Sequence, residues 1–164
     1  MPGHGRGASD SHRHLPRTNA DTAALESDFA PFAALADLPL GMSAHMVFDA
    51  YDPRPATVSP VMIEVIRDRI GFDGFLMTDD ISMEALSGDV ASRGQAALAA
   101  GCDAVLHCNG DLDEMRALID ATGPMTDAAQ ARAEAALTWR RDPAPVDIAA
   151  LRSDLEALLP AALP

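Results

Sequence analysis

The chain has 164 residues, and its 25 acidic against 12 basic residues give a formal net charge of −13 with no lysine at all. That balance argues against a nucleic-acid partner, whose phosphate backbone needs clustered Lys and Arg, and no run approaches the ~20 apolar residues of a membrane span. The length suits a single domain, which at this size can bury about 70% of the surface its unfolded chain exposes.

Residues 2–14, PGHGRGASDSHRH, hold His4, Asp10, His12 and His14 in a glycine-rich stretch without apolar periodicity, which reads as a loop. It also lacks the apolar core of a secretory signal, so a cytoplasmic protein is the default expectation. Two chemistries fit the cluster. Imidazoles and a carboxylate suit zinc, and Asp10 can fix the tautomer of His12 and raise its basicity for proton transfer. A solvated histidine-rich tail is the alternative without function.

DTAALESDFAPFAALAD (21–37) has helical composition interrupted by Pro31, which predicts two short helices or a helix and a turn. In LGMSAHMVFDAYD the apolar run from Leu40 to Phe48 predicts one buried strand emptying into a loop. SPVMIEVIRDRIG follows as a helix, with Ser59 as N-cap, Pro60 at its first position and Gly71 as its stop. GFLMTDDISM (74–83) is a second apolar strand that ends on two aspartates. ASRGQAALAAG is an Ala-rich helix stopped by Gly101, and DAVLHCNG (103–110) a third strand. Asp111 and Glu114 make a capping box for the next helix. Two further helical stretches, about 126–141 and 147–159, are joined by the proline-containing DPAPVD.

Alternating strands and helices with continuous apolar strands predict an α/β protein with a parallel sheet buried on both faces. An open doubly wound sheet and a (β/α)8 barrel both fit, and both carry chemistry at the carboxyl ends of their strands. Those ends are His45 to Asp49, Thr78 to Asp80 and His107 to Asn109. Asp79 or Asp80 can bind a metal, accept a phosphoryl group or attack a carbon electrophile there, or simply cap a turn. Spacing leaves open which of the two faces inward. His45 and His107 are each either a core residue or a wall of the site. Cys102 and Cys108 read as small buried residues of a reducing compartment rather than a disulfide pair.

Three segments in order, PGHGRGASDSHRHLP, GMSAHMVFDAYDPRPATVSP and GFDGFLMTDDISMEAL, resemble the bacterial β-N-acetylhexosaminidases of glycoside hydrolase family 3, the cell-wall-recycling kind. The resemblance covers about residues 2–109. It implies a TIM barrel that removes a terminal non-reducing β-linked N-acetylglucosamine with retention of configuration. It further implies Asp79 as nucleophile, His12 as acid/base on a mobile loop, and Asp10 as its assistant. Of the strand-end residues, His45 is expected to bind substrate at the wall of the site. No cofactor and no metal are expected. The expected partner is a small carbohydrate or muropeptide, with no nucleic acid and no membrane.

A complete barrel of this type needs about 250 residues. The chain is therefore expected to supply the C-terminal part of one, about three strand-helix units over 1–123, followed by a helical C-terminal extension over 124–164. Met1 is read as an internal methionine of a longer protein, since the lysine-histidine pair that the family carries just before this point would fall upstream of it. An unclosed barrel leaves free edges and predicts self-association through them. Two other readings remain open: a truncated half-barrel without catalysis, and a metal-dependent hydrolase using the histidine cluster with Asp79 or Asp80.

Overall fold

The computed structural model describes residues 1–159; residues 160–164 of the expected 124–164 extension lie outside the described residues. Its centre is a parallel sheet of β2 (Leu40–Met42), β5 (Phe75–Asp80) and β6 (Ala104–Leu106), with β5 in the middle. A second small sheet pairs β1 (Arg17–Thr18) in parallel with β3 (Val47–Phe48), and β3 antiparallel with β4 (Asp52–Pro55). The sheet does not close into a barrel. Leu40 and Met42 on β2 stay substantially exposed, and Met1 lies along that edge, its amino group on the Met42 carbonyl and its own carbonyl accepting from Ala44 N–H at 2.8 Å.

Openness corrects the expectation of strands buried on both faces. Along β5, Leu76 and Thr78 are fully buried while Phe75, Met77 and Asp79 are only partly covered, the period-two signature of a sheet packed on one side. The covered face meets α2 (Pro60–Glu64) and α3 (Val90–Ala100). Met62, Ile66, Leu76, Ile81 and Ala97 make the core there, continuous with Leu25 and Phe29 of α1 (Thr22–Ala33) and with Phe48. Phe29 and Phe48 meet edge to face at 6.0 Å.

The run from Leu40 to Phe48 is not one strand but two, in different sheets, because Ser43, Ala44 and His45 turn the chain between them. Nor does Pro31 split α1. It stands in the last turn, where the single lost N–H bond costs little and the helix ends at Ala33 anyway.

Ser59 caps α2 through its hydroxyl, which accepts from Met62 N–H at 3.1 Å, with Pro60 at the first position. The helix then widens into a π turn over Val65–Arg69, closed by Ile70 N–H on the Val65 carbonyl at 3.0 Å. This turn swings Arg67 to the lower end of β5. There Arg67 donates to the carbonyls of Phe72 (3.1 Å) and Gly74 (2.7 Å) and to Asp103 (2.7 Å). Asp103 also accepts from Leu76 N–H at 2.8 Å and from Arg132 at 3.0 Å, so one buried carboxylate ties β5, α2 and α5 (Asp127–Leu137) together.

α3 stops at Gly101, whose φ of +114° is one that side-chain-bearing residues avoid. α4 (Leu112–Thr122) packs on α3 where Gly94 leaves room: a Cβ on Gly94 would come within 2.3 Å of Leu118. Half of the expected capping box forms. Asp111 accepts from Asp113 and Glu114 N–H, but Glu114 turns its carboxylate to His107 and Asn109 instead. The last helix, α6 (Ile148–Leu158), has no buried residue. No helix among the described residues is long and apolar enough to cross a membrane.

Candidate active site

Sites in parallel α/β proteins form at the carboxyl ends of strands, and in this sheet that end of β5 carries Thr78, Asp79 and Asp80. A bulge interrupts the β5–β6 ladder here: Met77 lies opposite Ala104 and Asp80 opposite Leu106, so three steps on β5 answer two on β6. The Thr78 hydroxyl takes up the amide thus left over, accepting from Leu106 N–H at 2.9 Å. Bulges re-aim side chains, which is why they recur beside active sites.

The two aspartates have different work. Asp80 accepts from Ser82 N–H (3.1 Å), the Ser82 hydroxyl (2.7 Å) and Cys108 N–H (3.1 Å), bracing the turn after β5 against the end of β6. Burial raises the Asp80 pKa, but these hydrogen bonds outweigh it and hold the carboxyl below its ordinary value. Asp79 has one hydrogen bond among the described residues, from its neighbour's N–H at 2.8 Å. By the strand's period it falls in with Phe75 and Met77 on the uncovered face. Asp79 is thus a carboxylate with lone pairs to spare on a strand that is held on both sides.

His45 is 1% exposed and both its ring nitrogens are engaged. Nε2 donates to the Asp80 carbonyl at 2.9 Å, and Nδ1 meets the Thr57 hydroxyl at 2.7 Å. Thr57 in turn meets the Ser43 hydroxyl at 2.9 Å, and Cys102 donates its thiol to the Thr57 carbonyl at 3.7 Å. Burial pushes the Cys102 thiol up to about 12 and the His45 imidazole below its ordinary value. The residue expected at the wall of a substrate site is thus buried, with both ring nitrogens committed to protein partners. Arg93 of α3 completes the support, donating to the Ile81 and Met83 carbonyls at 3.1 and 3.2 Å.

The glycine-rich loop does hold the expected pair. His12 Nδ1 donates to Asp10 at 2.8 Å, and the His12 amide donates to the same oxygen at 3.0 Å, which leaves Nε2 facing outward on an exposed ring. The main-chain and then the side-chain hydrogen bond from His12 lower the Asp10 pKa. Arg6 pins this loop to α1 through Asp28, and Arg17 ties β1 to Asp49. His4 and His14 do not join the pair, and among the described residues no three His, Cys, Asp or Glu side chains converge as metal ligands do. Nor does any hydrogen bond among the described residues link the loop to Asp79.

His107 donates Nε2 to Glu114 at 3.0 Å, while its buried Nδ1 has no partner among the described residues. Cys102 is buried as expected but Cys108, two residues beyond the end of β6, is exposed; both are free thiols. Thr57, Ser43 and Arg93 escaped the sequence reading. A hydroxyl beside an apolar run carries no local mark of the partner it meets across the fold.

Residues 1–138 match the sequence profile described as Glycosyl hydrolase family 3 N terminal domain. The matched domain is the family's N-terminal one, which corrects the reading of the chain as a C-terminal part. A beta-hexosaminidase of Bordetella pertussis is 43% identical over 122 residues, covering 70% of this chain and 35% of that protein. One from Chromobacterium violaceum is 38% identical over 173 residues, covering 96% of this chain and 47% of that protein. Among solved structures, NagZ from Neisseria gonorrhoeae in complex with N-trifluoroacetyl-D-glucosamine superposes with a TM-score of 0.71 at 33% identity, over 82% of this chain and 40% of that one. The chain therefore spans between a third and a half of the length of these relatives.

Proposed function

Since the chain belongs to glycosyl hydrolase family 3, we propose that it serves the hydrolysis of terminal non-reducing β-linked N-acetylglucosamine by a retaining mechanism, in cytoplasmic peptidoglycan recycling. Asp79 attacks the anomeric carbon while His12, assisted by Asp10, protonates the departing oxygen. His12 then takes a proton from the water that releases the sugar from Asp79. Retaining glycosidases need these two roles and commonly fill both with carboxylates. A histidine oriented by an aspartate can fill the second, because it gives and takes a proton near neutral pH. Residues 1–123 form the barrel part in this reading, with 124–164 as an extension.

The observation that carries the proposal is the contrast at the end of β5, where Asp80 is consumed by three hydrogen bonds and Asp79 keeps its oxygens for a reactant. The sugar found in the gonococcal NagZ complex supports the substrate class. A chromogenic β-N-acetylglucosaminide tests it. Turnover that survives chelator and is lost in Asp79→Ala is the expected result. Turnover that chelator abolishes, or that persists in Asp79→Ala, overturns it.

A further inference from the structure

We propose that His45 is a positioning residue: one ring nitrogen, held by Thr57, orients the imidazole so that the other clamps the Asp80 carbonyl and fixes the strand end from which Asp79 projects. The inference rests on the reading of Asp79 as nucleophile.

The direction of each hydrogen bond follows from its partners. The Asp80 carbonyl can only accept, so Nε2 carries the ring hydrogen and Nδ1 is a bare acceptor. Thr57 must then donate to Nδ1 at 2.7 Å, which leaves its oxygen to accept from the Ser43 hydroxyl at 2.9 Å. Ser43, Thr57 and His45 are all 1% exposed or less, so water does not compete for these bonds. The same chain therefore fixes tautomer and ring orientation together.

What it holds matters because the ladder is broken at this point. The bulge between Met77 and Asp80 removes regular pairing from the residues that carry the carboxylate. Side chains replace it: Thr78 takes the Leu106 amide, His45 the Asp80 carbonyl, and Arg93 the Ile81 carbonyl. Asp79 thus projects from a backbone whose neighbours on either side are tied to other elements. Holding a reacting group to within a fraction of an ångström is worth far more to the rate than to substrate affinity.

The test compares His45→Asn, His45→Gln and Thr57→Val with the unaltered chain. Gln places an amide N–H where Nε2 was and so can keep the clamp. Asn is one carbon shorter, can satisfy Thr57, and misses Asp80. Amide hydrogen exchange at Asp80 and Ile81 should quicken by about tenfold in His45→Asn, the worth of one hydrogen bond, and stay near its original rate in His45→Gln. Leu76, anchored lower on the same strand by Asp103, should not change in either. Turnover of a chromogenic β-N-acetylglucosaminide should lose kcat at unchanged KM in His45→Asn and recover in His45→Gln. If His45→Asn does not fold, Thr57→Val, which removes the donor to Nδ1, is expected to give the same local pattern. Equal effects in Asn and Gln, or exchange that quickens as much at Leu76, overturn the proposal. The local exchange pattern without any turnover in the unaltered chain overturns the glycosidase reading and leaves the clamp standing.

Discussion

The imidazole of His45 and the main-chain carbonyl of Asp80 meet at 2.9 Å across 35 residues of sequence, and that contact joins the loop after β2 to the carboxyl end of β5. It makes the Asp79–Asp80 strand end a braced element whose free carboxylate is the exception among its polar groups.

Replacing Asp79 should separate chemistry from stability. Asp79→Asn removes the attacking oxygen anion, and its one hydrogen bond is to its neighbour's amide, so turnover is expected to fall by about 10⁴-fold or more, the scale seen when a nucleophile is deleted, with the melting temperature nearly unchanged. Asp80→Ala should do the reverse to stability, since it strands the Ser82 and Cys108 amides. Initial rates and thermal melts on the two variants check this.

Removing the loop histidine should act on rate alone. His12→Ala is expected to lower kcat by about 10²–10⁴-fold, the usual worth of general acid/base help, with little change in KM and none in the melt, because the ring is exposed. Asp10→Asn should also lower kcat, since it takes away the carboxylate that orients the ring through His12 Nδ1.

Acid should find His45. Burial places its folded pKa below the ordinary value of 6.5, against the opposing pull of the Asp80 hydrogen bond and the charges of Asp79 and Asp80, with Arg93 adding to the depression. The unfolded chain thus takes up a proton first on acidification. The stability tied to neutral His45 is full above pH 6.5 and is lost as pH falls below it toward the folded pKa. Melts between pH 7.5 and about 5 should slope downward more steeply for the unaltered chain than for His45→Gln, which has no proton to gain there.

The lower end of β5 should be the most costly place to cut. Asp103→Ala leaves Arg67 without its carboxylate and the Leu76 amide without an acceptor, both inside the fold. A broken buried pair costs about 3–5 kcal/mol, a large share of the roughly 5–15 kcal/mol that holds a domain together. The urea midpoint should drop accordingly, and Arg132→Ala should cost less because Arg132 is more exposed.

Much of this was legible in the chain itself. Ser59 and Pro60 announce the start of α2 because capping is local chemistry. The Asp10–His12 pair follows from a two-residue spacing in a loop, and the apolar run into Thr78 and Asp79 marks a strand end. What stayed hidden depends on contacts distant in sequence. Thr57 lies 12 residues from His45, and only the fold brings the Asp80 carbonyl to the other ring nitrogen. The break between Met42 and Val47 is hidden too, since both halves of that run are apolar and only pairing sends them to different sheets. The resemblance pointed to Asp79, but that Asp80 is the one engaged by Ser82 and Cys108 depends on the fold, which no pattern of residue types reveals.

β5 is the middle strand of its sheet, with β2 on one side and β6 on the other. Fraying starts at margins, so the order of loss under stress is built into this arrangement. Leu40 and Met42 should detach early and Leu76 late. Asp79 sits between those limits, on a strand that outlasts its neighbours but at the end of it, where a bulge interrupts regular pairing and three side chains stand in for it. The candidate carboxylate is therefore expected to go out of alignment before the sheet that carries it dissolves, and loss of activity should precede unfolding on any gentle thermal or denaturant ramp.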